Sequence, residues 1–233
     1  MEKQFTSRKF DYIDLGAIDY QEAWDIQKHT FELRYKKEIE DTFYLLEHPH
    51  TYTLGKVADK NNLISTPQFL EKYGIKIYEI DRGGDITYHG PGQIVGYPII
   101  DLKNWKQDTH LYLRQLEQLI IDVCSEYGIE TGRRPGLTGV WIEDRKIAAI
   151  GIKVSRWITM HGFAFNVNTD LNLFNGIIPC GIKDKAVTSL EKELGEKVDL
   201  NEVKRKLVKN FKRIFDYSGY VVKENDHLLM KNS

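Results

Sequence analysis

Three apolar, strand-like segments close together, residues 139–143, 146–154 and 162–167, limit most what this chain can fold into. Only Glu143-Asp144 separates the first two, so they read as a hairpin. Helical patterns lie around this block. Ala23, Ile26, Phe31 and Leu33 mark residues 19–37, and Leu111, Leu113, Leu116, Leu119, Ile120 and Val123 form a stripe through 110–127 that stops at Gly128. Residues 201–217 read as a third helix, and Thr66, Pro67 and Gly74 bracket a short one over 66–73. Further strands are expected at 9–15, 76–80, 93–101 and 220–223, with two more, 42–47 and 51–54, on either side of His48-Pro49-His50. Hairpins and helices mix without regular alternation, which predicts an α+β fold with a largely antiparallel or mixed β-sheet. No repeat, low-complexity tract or linker breaks the chain, so residues 1–233 read as a single domain.

The balance of charge narrows the partners. A net charge of −1 gives no global field for nucleic acid or a membrane surface. Locally, Arg133, Arg134, Arg145, Lys146, Lys153 and Arg156 outweigh Glu143 and Asp144 by +4. An acidic partner could dock there, although a solvated strand face is the plainer reading. The start, MEKQFTSRKF, lacks the apolar stretch of a secretory signal and the acid-free, Arg-rich character of a transit peptide. The expected location is therefore cytoplasmic, where Cys124 and Cys180 would not form a structural disulfide.

Each cysteine then needs its own explanation. Cys124 falls on the helical stripe beside Val123, the setting of a small core hydrophobe. Cys180 stands between Pro179 and Gly181, and a loop thiol framed in this way is a candidate nucleophile or a packed loop residue. An ordinary thiol with pKa ~8.5 is only about 3% thiolate at neutral pH, so a cation nearby would raise its reactivity roughly twentyfold. His89, His161, Lys146 and Lys153 are candidates. Lys146 opens an otherwise apolar strand; it either snorkels to water or, in a partly dry pocket, favours a thiolate and passes protons. The densest signal is Arg82-Gly83-Gly84-Asp85-Ile86-Thr87-Tyr88-His89-Gly90-Pro91-Gly92-Gln93, where glycines interleaved with Arg, His and Gln suit close backbone approach to a ligand; a Gly-rich hairpin turn is the alternative. His161-Gly162-Phe163-Ala164, followed by Asn166-Val167-Asn168, is a second cluster, read equally well as a strand that starts at a capped histidine.

On these residues the chain resembles the lipoyl(octanoyl) transferases. The resemblance rests on the Arg82–Gln93 run, on Arg145-Lys146-Ile147-Ala148-Ala149-Ile150-Gly151, on His161-Gly162 with Asn166-Val167-Asn168, and on Pro179-Cys180-Gly181, in the same order and spacing over residues 40–190. It implies the single-domain mixed sheet shared by lipoate and biotin protein ligases, and no cofactor or metal. It implies Cys180 as the acyl-accepting nucleophile and Lys146 as the lysine paired with it. The acyl site would be lined by Arg82, Gly83, Gly84, Asp85, Ile86, Thr87, Tyr88 and His89, by Ala149, Ile150 and Gly151, and by Gly162, Phe163 and Ala164. Asp85 takes no role of its own beyond its place in that run.

The implied reaction is transfer of an octanoyl group from octanoyl-acyl carrier protein, through a Cys180 thioester, to a lysine of lipoyl domains. The acceptors are those of 2-oxoacid dehydrogenases and the glycine cleavage H protein, with neither nucleic acid nor membrane as a partner. The rival expectations are an ATP-dependent lipoate or biotin-type ligase, a non-catalytic acyl-carrier or lipoyl-domain binding module, and a cysteine hydrolase using His89 or His161.

Overall fold

A computed structural model of the chain describes residues 8–178 and 186–224. In chain order the elements are β1 (Lys9–Ala17), α1 (Tyr20–Tyr35), β2 (Asp41–Glu47), β3 (Thr51–Leu54), α2 (Pro67–Tyr73), β4 (Lys76–Glu79), β5 (Ile86–His89) and β6 (Gln93–Ile99). There follow α3 (Thr109–Ser125), β7 (Gly132–Arg134), β8 (Leu137–Ile142), β9 (Arg145–Ser155), β10 (Ile158–Asn166), α4 (Leu190–Leu194), α5 (Leu200–Ile214) and β11 (Gly219–Val222). Eight strands form a mixed sheet in the order β11-β1-β2-β6-β10-β9-β8-β7, and three form a small sheet in the order β4-β3-β5. The fold is thus α+β, as expected.

Capping explains why the helices start where they do. Asp19, Asp108 and Asp199 each accept a backbone N–H from the first turn of α1, α3 and α5, and Thr66 does so for α2. One face of the large sheet carries Phe10, Phe43, Phe163 and Phe165 against Leu116, Ile120 and Val123 of α3 and Leu207 and Phe211 of α5. Phe43 and Phe211 stack with centroids 4.1 Å apart. On the other face, α1 covers Val95, Tyr97 and Ala164 with Ala23, Ile26 and Phe31. Cys124 is fully buried in the first of these cores and is a free thiol.

Several boundaries differ from the sequence expectation. The two strands expected on either side of His48-Pro49-His50 fall in different sheets, the turn carrying the chain from β2 in the large sheet to β3 in the small one. Ile86–His89, inside the Gly-rich run, is a strand, because its N–H and C=O groups pair with β3. The strand at His161 begins earlier, at Ile158, and buckles instead of starting there, with His161 at φ 57°. Its pairing with β6 runs from Phe163↔Gly96 onward and resumes only at the Asp101–Ile158 bridge. Between them Pro98 offers no N–H, and Thr159 fills in: its Oγ1 accepts from the Ile100 N–H at 3.0 Å and donates to the Pro98 carbonyl at 2.7 Å. Gly132–Arg134 and Leu190–Leu194 were not expected; each is too short to show a period.

Candidate active site

The small sheet stands over strands β9 and β10 of the large one, and between them lies a cavity of about 380 Å³. Its floor exists because β9 and β10 present small residues there: Ala149 pairs with Ala164 and Gly151 with Gly162 across the two strands. At Gly151 a Cβ would come within 2.9 Å of Arg82 Cδ and 3.0 Å of the Gly83 carbonyl, so any side chain would push the roof away. The roof is the Gly-rich segment. Gly83 N–H donates to the Ile152 carbonyl at 2.9 Å, which ties that segment directly to β9. Arg82 is buried, its Nη2 donating to the Thr53 carbonyl (2.8 Å) and Oγ1 (2.9 Å) and its Nη1 to the Gly83 carbonyl (3.0 Å). Arg82, Gly83, Gly84, Asp85, Ile86, Thr87 and His89 all line the cavity, as do Ala149, Ile150, Gly151, Gly162, Phe163, Ala164 and Lys146.

Among the described candidate residues, Tyr88 alone is absent from that lining. Tyr88 points into the small sheet's own core, edge-on to Phe174 and hydrogen-bonded to His50 Nδ1 at 2.8 Å, since neighbouring strand residues face opposite ways. Cys180 lies outside the described residues, as do Pro179 and Gly181. The chain on both sides of them is pinned, however. Ile178 N–H donates to the Asn62 carbonyl at 2.7 Å. On the far side, Lys146 N–H donates to the Ala186 carbonyl (2.9 Å) and Thr188 N–H to the Lys146 carbonyl (3.0 Å). Phe174 and Val187, on either side of Cys180 in the chain, both line the cavity.

Lys146 is buried at 8% exposure, so it does not snorkel to water. The β8–β9 pairing explains its position: Val140 faces Ala148 but Trp141 faces Lys146, leaving Ile147 as an extra residue on β9. This bulge lets Ile147 and Ala148 both enter the main core and leaves Lys146 in the cavity wall. Its Nζ lies 4.7 Å from the centre of the Trp141 ring.

A buried polar network, largely invisible in the sequence, holds these parts in register. His89 Nδ1 is 2.8 Å from Gln93 Oε1; Gln93 Nε2 donates to Asn166 Oδ1 at 2.9 Å; Asn166 Nδ2 donates to the Thr188 carbonyl at 3.0 Å. The Gly-rich run is thereby linked through β6 and β10 to Thr188, whose N–H donates to the Lys146 carbonyl. Asp85 also holds the structure together. It accepts from Asn62 Nδ2 (2.6 Å) and the Asp59 N–H (3.2 Å), fixing the turn on which Ile178 is anchored. Burial, reinforced by His48 and Arg82, holds the His89 pKa well below its usual value, so the ring is neutral and acts as a wall, not a charge. Burial also lowers His161, whose Nε2 faces Asp81 Oδ1 at 2.8 Å; Asp81, bonded by His161 and Lys153, is held far below the usual carboxylate range. Burial pushes the Cys124 thiol up to about 12, which leaves it inert.

The basic stretch looks different in three dimensions. Arg133 pairs with Glu117, Arg134 with Asp144, Arg145 with Glu143 and Glu193, and Lys153 with Asp81, while Arg156 packs over the Tyr35 ring. Charges met locally in this way describe an ion-paired strand edge better than a docking strip. Among the described residues no group of His, Cys, Asp and Glu is placed to hold a metal, and no helix is long and apolar enough to cross a membrane.

A mixed sheet with a small sheet arched over an apolar slot, and a lysine in the slot wall, defines a class. The family model of the lipoyl protein ligase A/B catalytic domain matches residues 19–212. A solved lipoate-protein ligase A bound with ATP superposes with a TM-score of 0.73, covering 95% of this chain and 90% of its own at 13% identity, a likeness of fold. Within the class, the chain is 51% identical over 226 residues to an octanoyltransferase of Christiangramia forsetii, covering 90% of this chain and 97% of that protein. It is 52% identical over 203 residues to one of Solibacter usitatus, covering 87% and 91%. The chain belongs to the octanoyltransferase family.

Proposed function

We propose that this octanoyltransferase takes its acyl group from octanoyl-acyl carrier protein onto Cys180 and passes it to a lysine of a lipoyl domain. The observation that supports this reading most is the coincidence of an apolar slot, a buried lysine in its wall, and a Cys180-bearing segment anchored on one side to Asn62 and on the other to the backbone of Lys146 itself. Burying an eight-carbon chain at ~0.8 kcal/mol per CH₂ contributes roughly 5–6 kcal/mol, enough to select a medium chain.

In the first step the Cys180 thiolate attacks the donor's thioester carbonyl, the new C–S bond forms, and the bond to the carrier's phosphopantetheine sulfur breaks. The departing sulfur takes a proton from the Lys146 ammonium and leaves as a thiol. In the second step the acceptor lysine attacks the acyl-enzyme as an amine; its surplus proton passes to Lys146, the C–N bond forms and the Cys180 sulfur leaves. Splitting the transfer in this way predicts ping-pong kinetics. The acceptors fit the lipoyl domains of 2-oxoacid dehydrogenases and the glycine cleavage H protein.

Intact-mass measurement after mixing with octanoyl-acyl carrier protein tests the proposal. One octanoyl mass is expected on the wild type and on Cys124→Ala, and none on Cys180→Ser. An acyl mass retained on Cys180→Ala would defeat it, as would octanoylation of a lipoyl domain from free octanoate and ATP with no carrier protein.

A further inference from the structure

Glu117 of α3 is a carboxylate with 0% side-chain exposure in the middle of an apolar stripe, with Leu116, Leu119 and Ile120 around it. A buried carboxylate costs several kcal/mol unless its lone pairs are met, and an apolar residue of similar volume would serve the core as well. Here they are met from two directions. Oε2 accepts from Arg114 Nη1 at 2.7 Å and Arg133 Nε at 2.9 Å, and Arg133 is itself fixed by the Arg114 carbonyl at 2.8 Å. Oε1 accepts the backbone N–H of Gly139 at 3.1 Å.

Gly139 stands where β8 meets the bulge of β9. Its φ of 126° belongs to glycine, and a Cβ would lie 2.7 Å from the Ala148 carbonyl. The same Cβ would lie 3.4 Å from Lys146 Cε and 3.5 Å from Cδ, so the stem of Lys146 runs beside the side of Gly139 that carries no Cβ, while Trp141 faces the ammonium. Moving Gly139 would change the space open to the Lys146 stem.

We infer that Glu117 is a positioning residue for Lys146, acting through the Gly139 N–H and the β8–β9 bulge, with Arg114 and Arg133 holding the carboxylate in place. The inference rests on the reading of Lys146 as the proton-transfer group of the slot. Its role is geometric: an error of about 1 Å at a reacting group can lower a rate by up to roughly a hundredfold.

Two variants separate this from simple packing. Glu117→Met removes the acceptor and keeps the volume. Glu117→Asp keeps the charge for the arginines but withdraws the carboxylate from Gly139 by one methylene, and it preserves the test if the first variant does not fold. Each is expected to lower kcat for a small octanoyl thioester about tenfold with KM unchanged, whereas Glu117→Gln, which still offers Oε1 to Gly139, keeps at least half the wild-type rate. A second readout does not depend on activity. The NMR signal of the Lys146 ε-CH₂ group, assigned by its loss in Lys146→Ala, is displaced by the Trp141 ring current in the wild type and should return toward an ordinary lysine position in Glu117→Met and Glu117→Asp.

A Lys146 signal unmoved in both variants overturns the inference, as does a tenfold rate loss that recurs when Glu117→Met is placed in Lys146→Ala. A fully active Lys146→Ala would instead defeat the proton-transfer reading; a Lys146 signal that still shifts in Glu117→Met would then leave the positioning contact standing without its catalytic purpose.

Discussion

Strands β9 and β10 have two faces that solve opposite problems with neighbouring residues. One face turns Ala148 and Phe165 into a close-packed core under α3 and α5, with Ile150 and Phe163 packed in that core and also reaching the cavity wall. The other sets Ala149, Gly151, Gly162 and Ala164 under the Gly-rich roof and leaves a slot. The backbone is shared, and the first difference between the filled interior and the binding cavity is side-chain volume. The second difference is polarity. The core face is almost wholly apolar, whereas the slot is walled by buried polar groups that are each hydrogen-bonded: Arg82, His89, Gln93 and Asn166. Volume makes the slot, and the satisfied polar network keeps its roof, floor and lysine in register.

The largest effect that tests this division is loss of chemistry without loss of fold. Lys146→Ala should lower octanoyl transfer by roughly 10²–10⁴, the usual worth of a general acid–base group, while Tm stays within a few degrees. Comparable losses in rate and in Tm would show that the slot wall is structural in the same sense as the core.

Acid should act on one side first. His48 is buried, with Nδ1 on the Ile18 carbonyl and Nε2 on the Tyr97 hydroxyl at 2.8 Å each, and burial lowers its pKa to about 4. His89 and His161 are lowered in the same direction. The unfolded chain therefore takes up protons near pH 6.5, which the folded rings resist, so stability is full above that value and falls as the pH drops toward 4. For His48 alone the loss between pH 7 and 5 is about 2 kcal/mol. Urea midpoints at the two pH values measure it, and hydrogen exchange should loosen at β5 and β6 before α3 and α5. Uniform loosening, or a flat urea midpoint, would erase the distinction between the faces.

The smallest effect concerns volume. Gly151→Ala places a methyl against Arg82 Cδ and the Gly83 carbonyl, and should raise KM for an octanoyl thioester about tenfold, comparable to ~1–1.5 kcal/mol of lost apolar contact. An unchanged KM would mean that the acyl chain lies elsewhere.

Much of this was legible in the residues alone. Apolar periodicity placed α1, α3 and α5, and the residues Thr66, Pro67 and Gly74 bracketed α2, because caps and amphipathic stripes are local signals. The Gly-rich run, the Lys146 strand and the His161-Gly162 cluster were identifiable by residue type and order. Their meeting in one site was implied by the family resemblance and not by spacing, because β5, β9 and β10 come together only through the folding of two sheets. Tyr88 shows the limit most clearly: it sits inside the densest motif yet turns away from the slot, since strand alternation depends on where pairing starts.

By itself the sequence determined the family, the α+β class and the residue types that chemistry of this kind needs, all of which are written locally in spacing and composition. Only the tertiary structure decided which neighbours those residues have. A bulge of one residue at Ile147 sends Lys146 into the cavity wall and Ala148 into the core. The Gly139 N–H reaches Glu117, twenty-two positions away along the chain, by a bond that no period could announce. Such contacts are long-range and directional, and the free energy that selects them belongs to the packed whole.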